Sequence, residues 1–134
     1  MRFLIPLMIA LVAVIPARAD DTQDAIQGVI ADQIGAFQRS DLDGAFKHAS
    51  PSIQGIFGTP GRFAEMVRGG YPMIWRAARW EMRTLENFNG TQVQIVMFED
   101  QQGDLFEAAY EMQLIDGIWR INGVQLRRLP GAAS

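Results

Sequence analysis

The sequence has no cysteine, one histidine, no run of basic residues and no apolar stretch long enough to cross a bilayer. Each absence excludes something. Without cysteine no disulfide can constrain the unfolded chain, so burial alone must hold the fold. One imidazole (His48) and no thiolate remove nearly every zinc, iron or copper site built from those ligands, and neither a metal nor a cofactor is expected. Fifteen acidic against twelve basic residues give a formal charge of −3. With no Lys/Arg cluster, that balance argues against a nucleic-acid partner, whose phosphates require one. What remains is 134 residues, 49% hydrophobic and 20% charged, the composition of one globular domain.

The N-terminus reads differently from the rest. Arg2 precedes an apolar segment from Phe3 to Ile15, and Ala17-Arg18-Ala19 has the small-x-small form of a signal-peptidase site. Residues 1–19 are expected to be a secretory signal peptide. The apolar segment, interrupted by Pro6, falls short of the roughly 20 residues that span a membrane, so no stable insertion is expected after cleavage. Residues 20–129 then form a single domain, and residues 130–134 a loose tail.

Ile26, Ile30, Ile34 and Phe37 recur at helical spacing behind Asp20, Asp21 and Asp24, which suit the positive end of a helix dipole. A first helix is predicted to run to about Arg39. Ser40 followed by Asp43 resembles a capping box for a second, with an apolar stripe of Leu42, Ala45, Phe46 and Ala49. Ser50-Pro51 and Thr59-Pro60 each place a hydroxyl N-cap before a first-turn proline, which predicts helices over 51–57 and 60–68 with Gly58 and Gly69-Gly70 as stops.

Beyond Tyr71-Pro72 the period becomes two. Trp80 and Met82, then Val93, Ile95 and Met97, then Phe106, Ala108, Tyr110, Met112 and Leu114, then Trp119 and Ile121 are read as the inward faces of four strands. Asn89-Gly90 and Asp116-Gly117 are two-residue hairpin signals, and Gln101-Gln102-Gly103 a longer turn. Asn122-Gly123 shifts the parity to Val124 and Leu126, which predicts a bulge. Helices first and strands second imply an α+β fold, with N-terminal helices on one face of a four-stranded antiparallel sheet. On the other face Arg79, Arg83 and Arg120 alternate with Glu81, Glu107 and Glu111. Val96, Phe98, Leu105 and Ala109 share that face, which could serve a homodimer.

No motif compels a chemistry. His48 is expected to sit at a helix C-terminus, about 10 Å along the helix from Asp41 and out of its reach. Asp41-Leu42-Asp43-Gly44 lacks the closing glutamate of a calcium loop and is read as helix capping. Glu99, in phase with Val93, Ile95 and Met97, would face the helices, where burial could make it a proton acceptor. Tyr71, Trp75 and Arg76 stand at the passage from helices to sheet, as a ligand pocket or as a plug of the core.

The run Ala49-Ser50-Pro51, Ile53, Phe57-Gly58, Phe63, Met66-Val67-Arg68, Gly70-Tyr71-Pro72 and Arg76, with Trp119-Arg120-Ile121 and Gly123, resembles domain-of-unknown-function family 4864 over nearly the whole chain after residue 19. The resemblance implies a small exported bacterial protein with the curved-sheet cone of nuclear transport factor two and SnoaL-like proteins, a cystatin-like fold, and assigns no activity. The expectation is a periplasmic or secreted protein of a Gram-negative bacterium, holding a small apolar or aromatic ligand among Tyr71, Trp75, Arg76, Trp80, Tyr110 and Trp119. The alternative is an isomerase or cyclase with Glu99 as base and Tyr71 or Tyr110 polarising a carbonyl, His48 being a weaker catalytic candidate.

Overall fold

The computed structural model of the chain describes residues 3–13 and 19–131. Residues 3–13 carry no helix or strand, and their large apolar side chains stand 76–96% exposed. Of the expected cleavage motif only Ala19 lies within the described residues, as the first residue of a helix; Ala132 to Ser134 of the expected tail also lie outside them. Among the described residues no helix is long and apolar enough to cross a membrane.

Among the described residues, five helices precede four strands. Helix α1 (Ala19–Gln38) buries Ile26, Ile30, Ile34 and Phe37, the stripe its spacing predicts. It ends at Ser40, whose φ of 56° lets the amide of Asp41 turn back to the carbonyl of Ala36 (2.8 Å). Ser40 is therefore not the cap of α2 (Leu42–Phe46). That role falls to Asp41, which accepts from the amide of Gly44 at 3.0 Å. The cap lies so close that any Cβ at position 44 would collide with the Asp41 carboxylate, which is why a glycine occupies this short helix.

Helices α3 (Pro51–Phe57) and α4 (Pro60–Gly70) start where their hydroxyl-proline pairs predict. Ser50 accepts from the amide of Ile53 and Thr59 from that of Arg62. Gly69-Gly70 does not stop α4, which runs through both glycines until the amide of Tyr71 closes on the carbonyl of Val67. A further turn, α5 (Pro72–Trp75), buries Met73, Ile74 and Trp75.

Strands β1 (Arg79–Phe88), β2 (Thr91–Glu99), β3 (Leu105–Ile115) and β4 (Ile118–Arg128) form an antiparallel meander in chain order. Both two-residue turns have two left-handed residues, Asn89-Gly90 and Asp116-Gly117. The bulge expected at Asn122-Gly123 is present: Gly123 opposes Glu111 and Ile121 opposes Met112, leaving Asn122 as the extra residue. Its side chain accepts from the hydroxyl of Ser50 at 2.7 Å, so the bulge is pinned to the cap of α3.

The parity of β2 is the reverse of the expected one. Gln94, Val96 and Phe98 are fully buried beneath the helices, whereas Val93, Ile95 and Met97 are only half-buried on the other face. The strand is apolar on both faces, so its alternation permits either one, and opposite it β1 carries a second bulge between Met82 and Leu85. Its carbonyls on Arg83 and Thr84 accept from the amide of Gln94 at 2.8 and 3.4 Å, so a polar residue belongs inside at this point. Leu114 also departs from expectation, being more than half exposed near the β3–β4 turn.

The result is an α+β fold in which five helices pack on one face of an open four-stranded sheet. Aromatic rings fill the helical layer: Phe63 lies 5.5–6.1 Å from Phe37, Phe46 and Phe57 by ring centroids. Tyr110 is fully buried on the covered sheet face, and Trp80, Phe106 and Trp119 pack against the same core partly exposed.

Candidate functional site: an apolar cavity under the helices

The helices do not fill the space above β3 and β4. A cavity of about 250 Å³ remains, walled by Gln33 and Phe37 of α1, Ile53 and Phe57 of α3, Phe63, Met66 and Val67 of α4, and Tyr71 and Ile74 beyond it. Its floor is Ala49, Tyr110, Ile121, Gly123 and Val124. The floor extends past the sheet edge because Ala49 joins β4 as a short parallel bridge, the amide of Ser50 donating to Ile121 and that of Ile121 to His48, each at 2.8 Å. Ile53, Phe57, Met66, Tyr71 and Val124 are half-buried and mark where the cavity nears the surface.

None of the residues walling the cavity is charged. Its polar side chains are a glutamine and two tyrosines. Gln33 donates to the carbonyl of Ala45 (3.1 Å), and the hydroxyl of Tyr71 donates to the carbonyl of Val124 (3.1 Å). Tyr110 differs from both: its hydroxyl is shut off from water and has no hydrogen-bond partner among the described residues. Burial, reinforced by the neighbouring phenol of Tyr71, pushes its pKa well above the ordinary tyrosine value. The group therefore stays a neutral donor at any physiological pH.

Of the expected ligand-binding residues, the cavity brings together Tyr71 and Tyr110. Trp75 instead plugs the core, 5.4 Å from the ring of Phe37, with the guanidinium of Arg68 5.0 Å above it. Arg76 is exposed and borders, with Trp75, Arg68 and Gln101, a separate groove on the surface. Trp80 and Trp119 belong to the covered face but are not among the residues walling the cavity.

The catalytic candidates are dispersed. Glu99 follows the true parity of β2 onto the open face, where it accepts from Nε of Arg79 at 3.0 Å, so the covered position expected for it is incorrect. His48 lies just past α2, as its place in the sequence suggests, but its ring meets the carboxylate of Asp32 on α1. That hydrogen bond holds Asp32 below the usual carboxylate range. Neither group reaches the cavity wall. The residues that build most of the wall, from Ile53 to Val67, show in the sequence only as helical apolar spacing, which does not distinguish packed core from cavity lining.

The chain matches no curated protein and no solved structure. One family does match, over residues 19–134, from the first residue of α1 through the whole sheet that floors the cavity. By that match the chain belongs to the family described as Domain of unknown function (DUF4864).

Proposed function

We propose that the protein is a binding module for a small apolar molecule held in the cavity between helices and sheet. The cavity itself carries this reading. Its lining is almost wholly apolar and reaches the surface, so an apolar occupant would take that lining out of water and supply the contacts it lacks.

An isomerase or cyclase needs a general base beside the substrate, and the carboxylate expected to serve lies on the far side of the sheet. Binding without chemistry is therefore favoured. The open sheet beneath a helical layer is compatible with a cone like that of nuclear transport factor two, which forms such pockets. Export to a bacterial periplasm fits the same picture, because cleavage after Ala19 would remove only the first residue of α1 and leave Asp20 and Asp21 in its first turn. The intact mass of protein recovered from the native host tests that point: a chain starting at Asp20 supports export, and a full-length chain refutes it.

The binding test is a thermal-shift screen of neutral hydrophobic molecules against the wild-type chain and Val67→Phe, whose added ring would occupy the cavity. A ligand at 100 times its Kd should stabilise the wild type by about 2.7 kcal/mol, on the order of 10 °C in Tm. Val67→Phe should abolish the shift. Equal shifts in both proteins would place binding elsewhere, and no shift in either would refute the reading.

A second reading rests on the open face, where Val93, Ile95, Met97, Leu105 and Ala109 are half-buried without a helix above them, which would suit a homodimer. Sedimentation of a monomer at high concentration would remove it.

A further inference from the structure

A ligand in this cavity meets no charged wall residue, and moving an ion into such a site costs far more than apolar contacts return, so the occupant is neutral. An apolar cavity of about 150 Å³ takes benzene, and scaling to the present one gives roughly ten non-hydrogen atoms. The polar contacts of the occupant depend on what the wall has left to offer. The single proton of the Tyr71 hydroxyl is already given to the carbonyl of Val124, so toward a ligand that oxygen can only accept. Gln33 is 4% exposed and stands in the buried stripe of α1 between Ile30 and Phe37. Its amide nitrogen donates to the carbonyl of Ala45, which fixes the orientation of the group, because the reversed amide would set two carbonyl oxygens against each other. The amide oxygen is then left without a donor among the described residues, yet it is not closed off from solvent as the hydroxyl of Tyr110 is. On a side chain buried this deeply in the cavity wall, the space open to that oxygen is the cavity.

Resting on the binding role above, we propose that the occupant is a neutral hydroxyl compound, an alcohol or phenol of about ten heavy atoms, whose O–H donates to Oε1 of Gln33. The bond gives a deeply buried amide oxygen the donor that the protein itself does not supply. A ligand with acceptors only, such as a ketone or ester, would turn its own lone pairs toward that oxygen and the Tyr71 oxygen. The apolar remainder of the occupant would lie against Phe37, Phe57, Phe63 and Met66.

Three probes on one skeleton separate the parts of this claim: 1-phenylethanol, with a hydroxyl; acetophenone, with a carbonyl oxygen; and cumene, with a methyl group in their place. Their affinities are measured by titration calorimetry or ligand-observed NMR on the full wild-type chain and on Gln33→Met, which keeps the length of the side chain and removes its amide. In the variant 1-phenylethanol loses affinity relative to cumene by about fivefold or more, as expected for one lost hydrogen bond, while the ratio of acetophenone to cumene stays the same. Because the variant also strands the carbonyl of Ala45, a second measurement uses the wild type alone: the side-chain carbonyl carbon of Gln33, followed by NMR, shifts downfield with saturating 1-phenylethanol and not with cumene. An unmoved carbon, or the same 1-phenylethanol to cumene ratio in both folded proteins, overturns the hydroxyl assignment and leaves cavity binding standing. A loss confined to acetophenone assigns the bond to the second hydrogen of the Gln33 nitrogen and overturns the proposal equally. Failure of all three probes to bind the wild type overturns the binding role together with this inference.

Discussion

Gln94 and Tyr110 stand directly opposite one another on β2 and β3, both fully buried under the helices, and the fold treats them in opposite ways. Gln94 is saturated. Its amide donates to the carbonyls of Arg83, Thr84 and Ile95, and its oxygen accepts from Gln27 of α1 at 3.3 Å. The hydroxyl of Tyr110, one strand away, has no partner among the described residues. Two polar groups at equal depth thus differ in their bonding: one closes a defect in the sheet, and the other is covered without a partner among the described residues.

The contrast fails most visibly if Gln94 is dispensable. Gln94→Leu keeps the volume but strands the bulge carbonyls, and should destabilise the protein by about 2–4 kcal/mol in urea unfolding. A loss under about 0.5 kcal/mol would show that water satisfies the bulge and would break the comparison. Ser50 sharpens it. Fully buried, it both caps α3 and pins the Asn122 bulge, so Ser50→Ala should cost about 1–2 kcal/mol. Tyr110→Phe should have the opposite sign, leaving stability unchanged or raising it by up to about 1 kcal/mol, because an unsatisfied hydroxyl is removed. A marked loss of stability would mean that the hydroxyl has a partner.

The smallest effect belongs to the exposed pair of Asp32 and His48. Because the folded protein depresses the pKa of Asp32, its contribution to stability is complete above the unfolded carboxylate value and is lost as pH falls through the lower, folded value. Asp32→Asn should therefore flatten the acid limb of a stability–pH curve and leave the region near neutrality with little pH dependence. With the Asp32 carboxylate half-exposed, the pair should contribute modestly, and high salt should weaken it.

Local grammar was legible. Ser50-Pro51 and Thr59-Pro60 start helices where they should, because a hydroxyl cap and a fixed proline φ act within one turn. Asn-Gly and Asp-Gly close the two tight hairpins of the three for an equally local reason, the left-handed backbone that a two-residue turn demands. The facing of β2 was not legible. Its sequence is apolar on both sides, so alternation alone permits either face, and Gln94 in an inward position contradicts the usual cue. That error carried Glu99 with it, and with it the proposed base. Of the candidate site, Tyr71 and Tyr110 could be picked out as aromatic residues, whereas the helical wall could not, since core and lining share one periodicity.

By itself the sequence determined the kinds of elements, most of their ends, their order and the absence of disulfide bracing, since each depends on contacts within a few residues or on composition. Tertiary structure decided the rest: which face of β2 is covered, the pairing of His48 with an acid sixteen residues away, the cavity, and the unpaired hydroxyl of Tyr110 beside it. Those features arise from register and from imperfect filling between layers, which are sums over residues far apart in the chain and belong to no single segment.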